Sequence, residues 1–398
     1  QEAPSAPSPA PAADAEESGS AQDPDAPPTS GVVPVIISAR SEAALAEQAA
    51  RLREHLSARS DLDLVDVAHS LVTTRTHFDH RAVVICPGPD DSGRQAVLDG
   101  LDGLARGETP EHVHMVRGEA RAEGKVVFVF PGQGSQWAQM AAGLLDASPV
   151  FRASIEACDR ALSAYVDWSL LAVLRDEPPA SGPPWMKRID VIQPALFAMM
   201  VSLAAMWRSM GIEPDAVIGH SQGEIAAAYV AGALSLDDAA RIVALRSLLL
   251  TRLAGKGAMA SVELPADELA PHMTAYGDRL SIAAENGPRS IVVSGDPEAI
   301  DGLVGQLQEA QVFARKVRVD IASHSVHVES IRDELLAQLA GIKPGQAAIP
   351  LYSTVRTQVV QGQELGPEYW YQNLRQPVRF AATVDALLGD GHRIFVES

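Results

Sequence analysis

The sequence predicts an α/β protein whose largely parallel sheet is interrupted by a ferredoxin-like insertion and preceded by a smaller α/β unit. Three observations support this fold class. Short apolar runs typical of strands alternate with helical patterns along most of the chain. A serine lies in a Gly-x-Ser-x-Gly turn between one such strand and one such helix. Residues 257–319 follow the order β-α-β-β-α-β, which is typical of ferredoxin-like subdomains.

Composition and charge limit the partners of this chain. Its 398 residues carry a formal net charge of −19, which disfavours nucleic acid and anionic membrane surfaces because both repel an acidic protein. Such a charge also suits solubility alone. Cys86 and Cys158 are too few for a disulfide framework or a zinc cluster, so we expect packed thiols and no metal. We find no signal peptide and no apolar run of the ~18–20 residues that span a bilayer, and we expect a cytoplasmic protein.

Residues 1–30 differ in composition from everything that follows. They are rich in Pro, Ala, Ser and acidic residues, and they contain neither Lys nor Arg. Because such a stretch buries too little apolar surface to offset its ordering entropy, we predict a flexible linker. A linker at the start suggests that the chain was cut from a larger protein.

The folded sequence begins near Val32 with the strand-like run VVPVIISA. Ser41 then opens the helical pattern SEAALAEQAARLREHLSA, and a further helical stretch leads to the strand HRAVVIC. We therefore assign residues 31–120 to a small α/β subdomain.

The main body comprises residues 121–256 and 320–398. Its first strand, KVVFVF, enters the turn PGQGSQ, and helical patterns such as PALFAMMVSLAAMWRSM separate it from later strands. Those later strands are predicted at DAVIG (215–219), SIVVSG (290–295) and RIFVE (393–397). Since strands and helices alternate, the sheet should be largely parallel. The insertion at residues 257–319 ends in a strand that leads the chain to His324.

Gly219-His220-Ser221-Gln222-Gly223 has the pattern of a nucleophile elbow, between the strand DAVIG and the helix EIAAAYVAGAL. In such a turn of α/β-hydrolase-like folds the flanking residues are glycines because side chains would clash. The helix N-terminus and the backbone N–H of Gln222 could stabilise an oxyanion during acyl transfer. The alternative is an ordinary turn of small residues, which would not require a serine at its centre.

A serine nucleophile needs a base, and the chain has 11 histidines. His324, in IASHSVHVES, follows the insertion and precedes a helix, while His327, His272 and His220 are alternatives. Chemistry alone does not separate His324 from His327.

Arg246 lies in a predicted helix that starts near Leu236, where Ser235 and Asp238 form a capping-box pattern. An arginine buried beside the nucleophile would bind a carboxylate through its planar fork of donors. The alternative is a surface arginine on an amphipathic helix, and without further context the pattern favours it.

Four segments together resemble the acyltransferase domains of type I modular polyketide synthases. They are FPGQGSQW (130–137), GHSQGE (219–224), Arg246 in ALRS, and IASHS (321–325). They are more distantly similar to the malonyl-CoA:ACP transacylase of fatty-acid synthesis. The resemblance covers about residues 31–398, and residues 31–120 look like the linker subdomain between ketosynthase and acyltransferase.

The resemblance implies a mechanism and partners. Ser221 would take an acyl group from CoA and pass it to the phosphopantetheine thiol of an acyl carrier protein, with His324 as general base and then general acid. The backbone amides of Gln133 and Gln222 would form the oxyanion hole, and the backbone carbonyl of Asn373 would orient the histidine. Such a dyad needs no buried acid, no bound cofactor and no metal. The expected partners are acyl-CoA, the carrier protein and an upstream ketosynthase domain in the same polypeptide.

The resemblance also bears on the substrate, for which it implies Arg246 as the carboxylate clamp and four further binding residues. These are Gln193, Met259, Ile321 and Ser323. Malonyl-selecting members usually carry HAFH, and methylmalonyl-selecting members YASH, where this chain has IASH. GHSQGE and RIDVIQPALF also resemble the group that takes branched substrates. Because isoleucine is smaller than tyrosine and lacks its hydroxyl, we expect ethylmalonyl or a larger unit, or methylmalonyl.

Two other functions stay open at this stage. A serine hydrolase or editing thioesterase would need a Ser-Asp-His order, which Asp296 or Asp320 could supply. A catalytically idle docking module would have no need of intact Ser221, His324 and Arg246. The strand RIFVES stops at Ser398, whereas family members continue with a proline-containing turn, and whether that part is missing or was cut from the chain stays open.

Overall fold

The computed structural model describes residues 31–88, 90–120, 123–177 and 183–398. The predicted flexible linker at residues 1–30 lies outside them. The chain divides into two compact units, with the boundary between residues 121 and 122.

The first unit contains a three-stranded antiparallel sheet in the order β1-β2-β3 and three helices. The elements are β1 (Val33–Ala39), α1 (Glu42–Ala58), α2 (Leu64–Thr74), β2 (His80–Cys86), α3 (Asp91–Arg106) and β3 (His114–Glu119). As predicted, Ser41 caps α1, since its side chain accepts a hydrogen bond from the backbone N–H of Ala44. Strand β3 was not predicted from the sequence, because this edge strand is polar and mostly exposed. Cys86 is buried.

The second unit contains two sheets. Its strands are β4 (Lys125–Phe130), β5 (Ala216–Gly219), β6 (Ala258–Val262), β7 (Leu280–Gly287), β8 (Ser290–Gly295), β9 (Ala314–Lys316), β10 (Leu351–Ser353), β11 (Gln358–Val360) and β12 (His392–Glu397). The larger sheet has the order β11-β10-β5-β4-β12 and is parallel except at the β10–β11 edge. This arrangement confirms the predicted fold class. Strands β10 and β11 were not predicted from the sequence, and they have only three residues each.

The smaller sheet is fully antiparallel and has the order β7-β8-β6-β9. In chain order this is the interleaved arrangement of a ferredoxin-like subdomain. SIVVSG, which we also counted among the strands of the main body, is β8 of this smaller sheet. From β9 the chain returns to the larger sheet through the segment that carries His324.

Helices pack against both sheets of the second unit. They are α4 (Ala142–Ala147), α5 (Pro149–Leu162), α6 (Leu170–Leu174), α7 (Ile189–Ser209), α8 (Gly223–Val230), α9 (Leu236–Leu250), α10 (Ala266–Met273), α11 (Pro297–Glu309), α12 (Arg332–Leu339), α13 (Pro367–Arg375) and α14 (Phe380–Gly389). Short 3₁₀ helices span Trp185–Lys187, Thr251–Leu253, Thr274–Arg279 and Val326–Ile331.

Helix α7 forms the centre of the core. It packs against α5, α8 and α9, and Cys158 on α5 is buried beside it. At 21 residues α7 is long and apolar enough to cross a membrane, which differs from our expectation that the chain has no such run. However, 72% of its most apolar window is buried inside the unit, as in the core helix of a globular domain.

The larger sheet positions the candidate site. Strands β4 and β5 are parallel neighbours, so their carboxyl ends meet at the same edge. Strand β4 leads there into the PGQGSQ turn, and β5 leads into the Gly-x-Ser-x-Gly turn. This edge therefore brings Gln133 and Ser221 to one cleft, which both residues line.

Candidate active site

Ser221 lies on a tight turn between β5 and α8. Its φ of 53° is in the left-handed region, which side-chain-bearing residues rarely adopt. A Cβ on Gly219 would lie 2.2 Å from the backbone nitrogen of Glu224, and one on Gly223 would lie 2.3 Å from the carbonyl oxygen of Phe130. The two flanking glycines are therefore required by close backbone contacts, as the motif predicted.

His324 contacts the serine directly. The Ser221 hydroxyl is 2.8 Å from Nε2 of His324, and Nδ1 of His324 is 2.7 Å from the carbonyl oxygen of Gln376. Because a carbonyl only accepts, Nδ1 carries the proton and Nε2 accepts from the hydroxyl. Burial and, secondarily, the positive charge of Arg246 lower the pKa of His324 to about 3. The imidazole is therefore neutral at physiological pH and can take a proton from the serine.

The other candidate histidines are engaged elsewhere. His327 pairs with Asp296 at 2.7 Å, and Nε2 of His220 is 2.8 Å from the side-chain oxygen of Asn286. His272 lies in the smaller subdomain, where its Nδ1 is 3.2 Å from Nε2 of Gln306. Among the described histidines, only His324 is hydrogen-bonded to the Ser221 hydroxyl.

The carbonyl that orients His324 belongs to Gln376 and not, as we expected, to Asn373. Asn373 lies within α13, where carbonyl groups point along the helix axis. Gln376 is the first residue beyond the helix, and its extended backbone turns its carbonyl towards the imidazole. The prediction for the backbone of Asn373 was therefore wrong. Its side chain still reaches the site, since Nδ2 donates to the backbone carbonyl of Ser221 at 3.1 Å.

The guanidinium of Arg246 lies beside the serine in the interior of the unit. Arg246 is 1% exposed, and its Nη2 is 3.5 Å from the Ser221 hydroxyl oxygen. Nη1 donates to Oε1 of Gln193 at 3.0 Å, whereas Nε has no partner among the described residues. The predicted cap of its helix is present, since Ser235 accepts from the backbone N–H of Asp238.

The charge of Arg246 is not compensated by a contacting carboxylate. No ion pair involving Arg246 occurs in the described part of the chain, and the carboxylate that affects its pKa is that of Glu224. Burial lowers the pKa of Arg246 to about 10, so the guanidinium remains charged at neutral pH. A buried cation without a contacting carboxylate is costly, and a bound anion would offset that cost.

A cavity of about 840 Å³ opens in front of Ser221 and His324. Its walls include six other predicted site residues: Gln133, Gln193, Gln222, Met259, Ile321 and Ser323. They also include Asp320, one of the two alternatives for a triad acid. Much of the remaining lining is apolar and comes from Ile189, Ile192, Ala283, Ala284, Val292 and Val319. Ile321 is only 5% exposed and packs into the wall beside His324. The cavity therefore brings together nearly all residues that the sequence singled out. Arg246 does not line it, and its guanidinium approaches Ser221 from the interior of the unit.

Two backbone N–H groups at this cavity are free to bind an oxyanion. Within the described residues, neither the amide of Gln133 nor that of Gln222 donates to another backbone group. Gln222 is also the N-cap of α8, whose positive end faces the serine. Preorganised donors of this kind stabilise the charge that develops on a carbonyl oxygen in acyl transfer.

Sequence reasoning missed a buried polar cluster behind the serine. Glu224 in the first turn of α8 is 0% exposed and accepts hydrogen bonds from Tyr369, Thr354 and Asn373. Ser353 extends the cluster through a 2.6 Å contact with the Tyr369 hydroxyl. A signal existed, because Glu224 is the only charged residue in the otherwise apolar stretch EIAAAYV.

No carboxylate among the described residues is hydrogen-bonded to His324. Asp296, one candidate for a triad acid, binds Arg279 and His327, and the Nδ1 of His324 is occupied by the Gln376 carbonyl. Asp320, the other candidate, lines the cavity but makes no hydrogen bond to His324 in the described chain. The geometry is that of a serine and histidine pair without a contacting acid.

Two protein-family models match this chain, one in each of its two compact units. Residues 127–398 match the protein-family model described as acyl transferase domain, and residues 34–94 match the one described as CurL-like, PKS C-terminal. Polyketide synthase GfsB of Streptomyces halstedii is 53% identical over 368 residues, covering 91% of this chain but only 6% of GfsB. The chain thus spans a small part of the length of this curated relative.

Two solved structures are similar over most of the chain. The acyltransferase domain from module 8 of the salinomycin polyketide synthase has a TM-score of 0.85 and 49% identity, covering 92% of this chain and 84% of that one. The acyltransferase domain of SpnD, in complex with 2-(pent-4-yn-1-yl)malonyl, has a TM-score of 0.79 and 29% identity, with the same coverage of 92% and 84%.

Proposed function

The chain belongs to the acyltransferase domains of polyketide synthases, and we propose that it loads an α-substituted malonyl unit from CoA onto an acyl carrier protein. The unit would be carried as an ester on Ser221. The observation that carries this proposal is the buried guanidinium of Arg246, 3.5 Å from the Ser221 hydroxyl and without a contacting carboxylate. A malonyl-type unit supplies the missing carboxylate.

The first half-reaction forms the acyl-enzyme. Ser221 Oγ bonds to the thioester carbonyl carbon while its proton moves to Nε2 of His324, which is 2.8 Å away. The backbone amides of Gln133 and Gln222 hold the resulting oxyanion. The carbon–sulfur bond then breaks, and the leaving CoA thiolate takes the proton from His324.

The second half-reaction reverses these roles with a different thiol. His324 takes the proton of the phosphopantetheine thiol, whose sulfur bonds to the ester carbonyl carbon. The carbon–oxygen bond to Ser221 breaks, and the proton returns to Oγ. Acyl-CoA and the carrier protein are the two substrates, and the chemistry uses no bound cofactor.

Arg246 gives the reaction its selectivity for carboxylated acyl groups. Two parallel N–H···O bonds between a guanidinium and a carboxylate fix both distance and orientation. Gln193 is 5% exposed and holds Nη1 at 3.0 Å, so the guanidinium is oriented before substrate binds. A simple hydrolase acting on uncharged esters would have no use for this buried cation.

The α-substituent would lie against the apolar wall that contains Ile321 and Met259. Isoleucine in place of the usual tyrosine leaves room for ethylmalonyl or a larger unit, with methylmalonyl as a further substrate. The similar SpnD domain binds a pentynyl-substituted malonyl group, which supports a branched substrate here. Since one methylene in an apolar pocket is worth only ~1–3 kcal/mol, selection between these units should be incomplete.

The proposed setting is a cytoplasmic polyketide synthase with a ketosynthase domain upstream in the same polypeptide. Support comes from the long curated relative and from the match of residues 34–94 to a polyketide synthase segment. Residues 31–120 would then be the linker subdomain next to the ketosynthase.

One experiment tests the proposed function against its alternatives. The protein is incubated with malonyl-, methylmalonyl-, ethylmalonyl- and propylmalonyl-CoA in equal amounts, with and without a phosphopantetheinylated carrier protein, and both proteins are weighed by intact mass spectrometry. We expect a branched carboxyacyl adduct that moves to the carrier protein. Hydrolysis without transfer would favour a thioesterase, and no adduct would favour an idle docking module. Ser221→Ala is the control.

A further inference from the structure

Glu224 is a buried carboxylate that the proposed reaction does not use. Its side chain is 0% exposed, and no basic side chain is hydrogen-bonded to it among the described residues. Burial raises the pKa of this carboxyl, although its hydrogen bonds act in the opposite direction. Removing a carboxylate from water is costly, so the groups that surround it must compensate.

The proton positions around Glu224 follow from the partners of Ser353. Its hydroxyl oxygen accepts from the backbone N–H groups of Val355 and Arg356, at 3.2 and 3.1 Å. Both lone pairs are then occupied, so the Ser353 hydroxyl must donate to Tyr369, at 2.6 Å. The Tyr369 hydroxyl in turn donates to Oε1 of Glu224.

The second oxygen of Glu224 also faces donors. Oε2 accepts from Nδ2 of Asn373 at 3.3 Å and lies 2.8 Å from the Thr354 hydroxyl, which is also 3.1 Å from the carbonyl oxygen of Gly219. Each oxygen therefore accepts at least one hydrogen bond, Oε1 from Tyr369 and Oε2 from Asn373, whereas a carboxamide has only one accepting atom.

Helix α13 connects this carboxylate to the imidazole of His324. Tyr369 and Asn373 on α13 bind Glu224, and two carbonyls at the end of the same helix bind His324. The Leu374 carbonyl accepts from the His324 backbone N–H at 2.9 Å, and the Gln376 carbonyl accepts from Nδ1 at 2.7 Å.

Glu224 is connected to the serine on its other side. Its backbone N–H donates to the Ser221 carbonyl at 3.1 Å, and the same carbonyl accepts from Nδ2 of Asn373 at 3.1 Å. Ser221 and His324 both have positive φ values, 53° and 59°. Such backbone conformations cost about 1–3 kcal/mol each and persist where the surroundings hold them.

We propose that Glu224 is a positioning residue whose carboxylate holds helix α13 against the nucleophile turn and so sets the contact between Ser221 and His324. It acts through Asn373 and Tyr369 and touches no substrate. This inference rests on the proposed function, because it assigns Ser221 and His324 as the reacting pair.

The test measures activation of the serine without acyl-CoA. Diisopropyl fluorophosphate phosphorylates a serine whose proton a base removes; the oxygen–phosphorus bond forms, fluoride leaves, and intact mass reports the rate. Glu224→Gln places one amide N–H against a donor, so we expect labelling at least ~10-fold slower than in the parent. Tyr369→Phe removes one donor, and we expect a loss of ~3-fold even where the first variant does not fold.

A matched control separates positioning from a general loss of stability. Ser202 is 0% exposed, and its hydroxyl lies 2.9 Å from that of Ser154, away from the cavity. Ser202→Ala should keep the parental labelling rate whatever its melting temperature. For Glu224→Gln we also expect a lower saturating rate of acyl-CoA loading with the half-saturating concentration changed by less than ~3-fold.

Two results with the variants would overturn the inference. Parental labelling rates in both Glu224→Gln and Tyr369→Phe would show that the cluster does not act on the serine. A loss of labelling rate no greater than that of Ser202→Ala at equal stability would show a purely structural role.

Because labelling needs no acyl-CoA, a parent that labels at Ser221 but loads no carboxyacyl unit contradicts the proposed function alone. A parent that does not label contradicts both.

Discussion

Replacing Arg246 by alanine should change which acyl groups the protein accepts. The parent guanidinium can make two charge-assisted hydrogen bonds to a substrate carboxylate, each worth about 1.5–3 kcal/mol. Their loss amounts to about 3–6 kcal/mol, so loading of a malonyl-type unit onto Ser221 should fall by ~10²- to ~10⁴-fold. Propionyl-CoA has no carboxylate for the guanidinium to bind. It should load onto Arg246→Ala as well as onto the parent or better, because the variant has no buried guanidinium that stays unpaired when this substrate binds.

The same substitution should leave the fold intact. Arg246 is 1% exposed and has no contacting carboxylate among the described residues, so its removal relieves a desolvated charge at the loss of its hydrogen bond to Gln193 and its longer contact with the Ser221 hydroxyl. The assay is a time course of intact mass with methylmalonyl-CoA or propionyl-CoA as sole donor, together with a melting curve. Arg241→Ala, on the same helix, is the matched control. Parental methylmalonyl loading by Arg246→Ala would refute the carboxylate clamp.

The remaining predictions concern selectivity, pH and the nucleophile turn. Ile321→Tyr should shift a competition between ethylmalonyl- and methylmalonyl-CoA towards methylmalonyl by ~10-fold or more, read as acyl-enzyme masses; an unchanged ratio removes this residue from substrate selection. Because the pKa of His324 is lowered to about 3, the acylation rate should be flat between about pH 5.5 and pH 8.5, and a rate that falls with a pKa near its ordinary 6.5 would contradict a neutral buried base. Below pH 6.5 this histidine is protonated in the unfolded chain, whereas in the folded chain it stays neutral down to about pH 3. The melting temperature should therefore fall as the pH is lowered from 6.5 to about 3. Gly219→Ala should unfold the protein or lower its stability by ~3 kcal/mol or more in urea titrations, whereas Gly305→Ala, with open space around it on α11, should be neutral or stabilising; equal effects would show that the turn tolerates a side chain.

The local parts of the site could be predicted from the sequence because short-range sterics determine them. The turn at Ser221 was identifiable from a strand, two glycines and a helix, and the glycines indeed lie against the backbone at Glu224 and Phe130. The ferredoxin-like insertion was identifiable from its order of elements. Both can be recognised from the local order of residues and elements, although the contact of Gly223 with Phe130 joins distant parts of the chain.

The parts that were missed or wrong depend on long-range contacts or on very short elements. Strands β10 and β11 have three residues each, too few for an alternating pattern. The choice between Asn373 and Gln376 as partner of His324 depends on where α13 ends, and helix ends are the least predictable feature of an element. Glu224 was quoted within a motif but received no role, because its partners come from more than 100 residues further along the chain.

The most direct test of the account is a crystal structure of the protein trapped as an acyl-enzyme with ethylmalonyl-CoA. We expect an ester on Ser221 whose carboxylate oxygens lie about 2.7–2.9 Å from the nitrogens of Arg246, with the ethyl group against Ile321. An ester whose carboxylate points to solvent, with Arg246 still bonded only to Gln193, would contradict the central claim that this buried guanidinium selects the substrate.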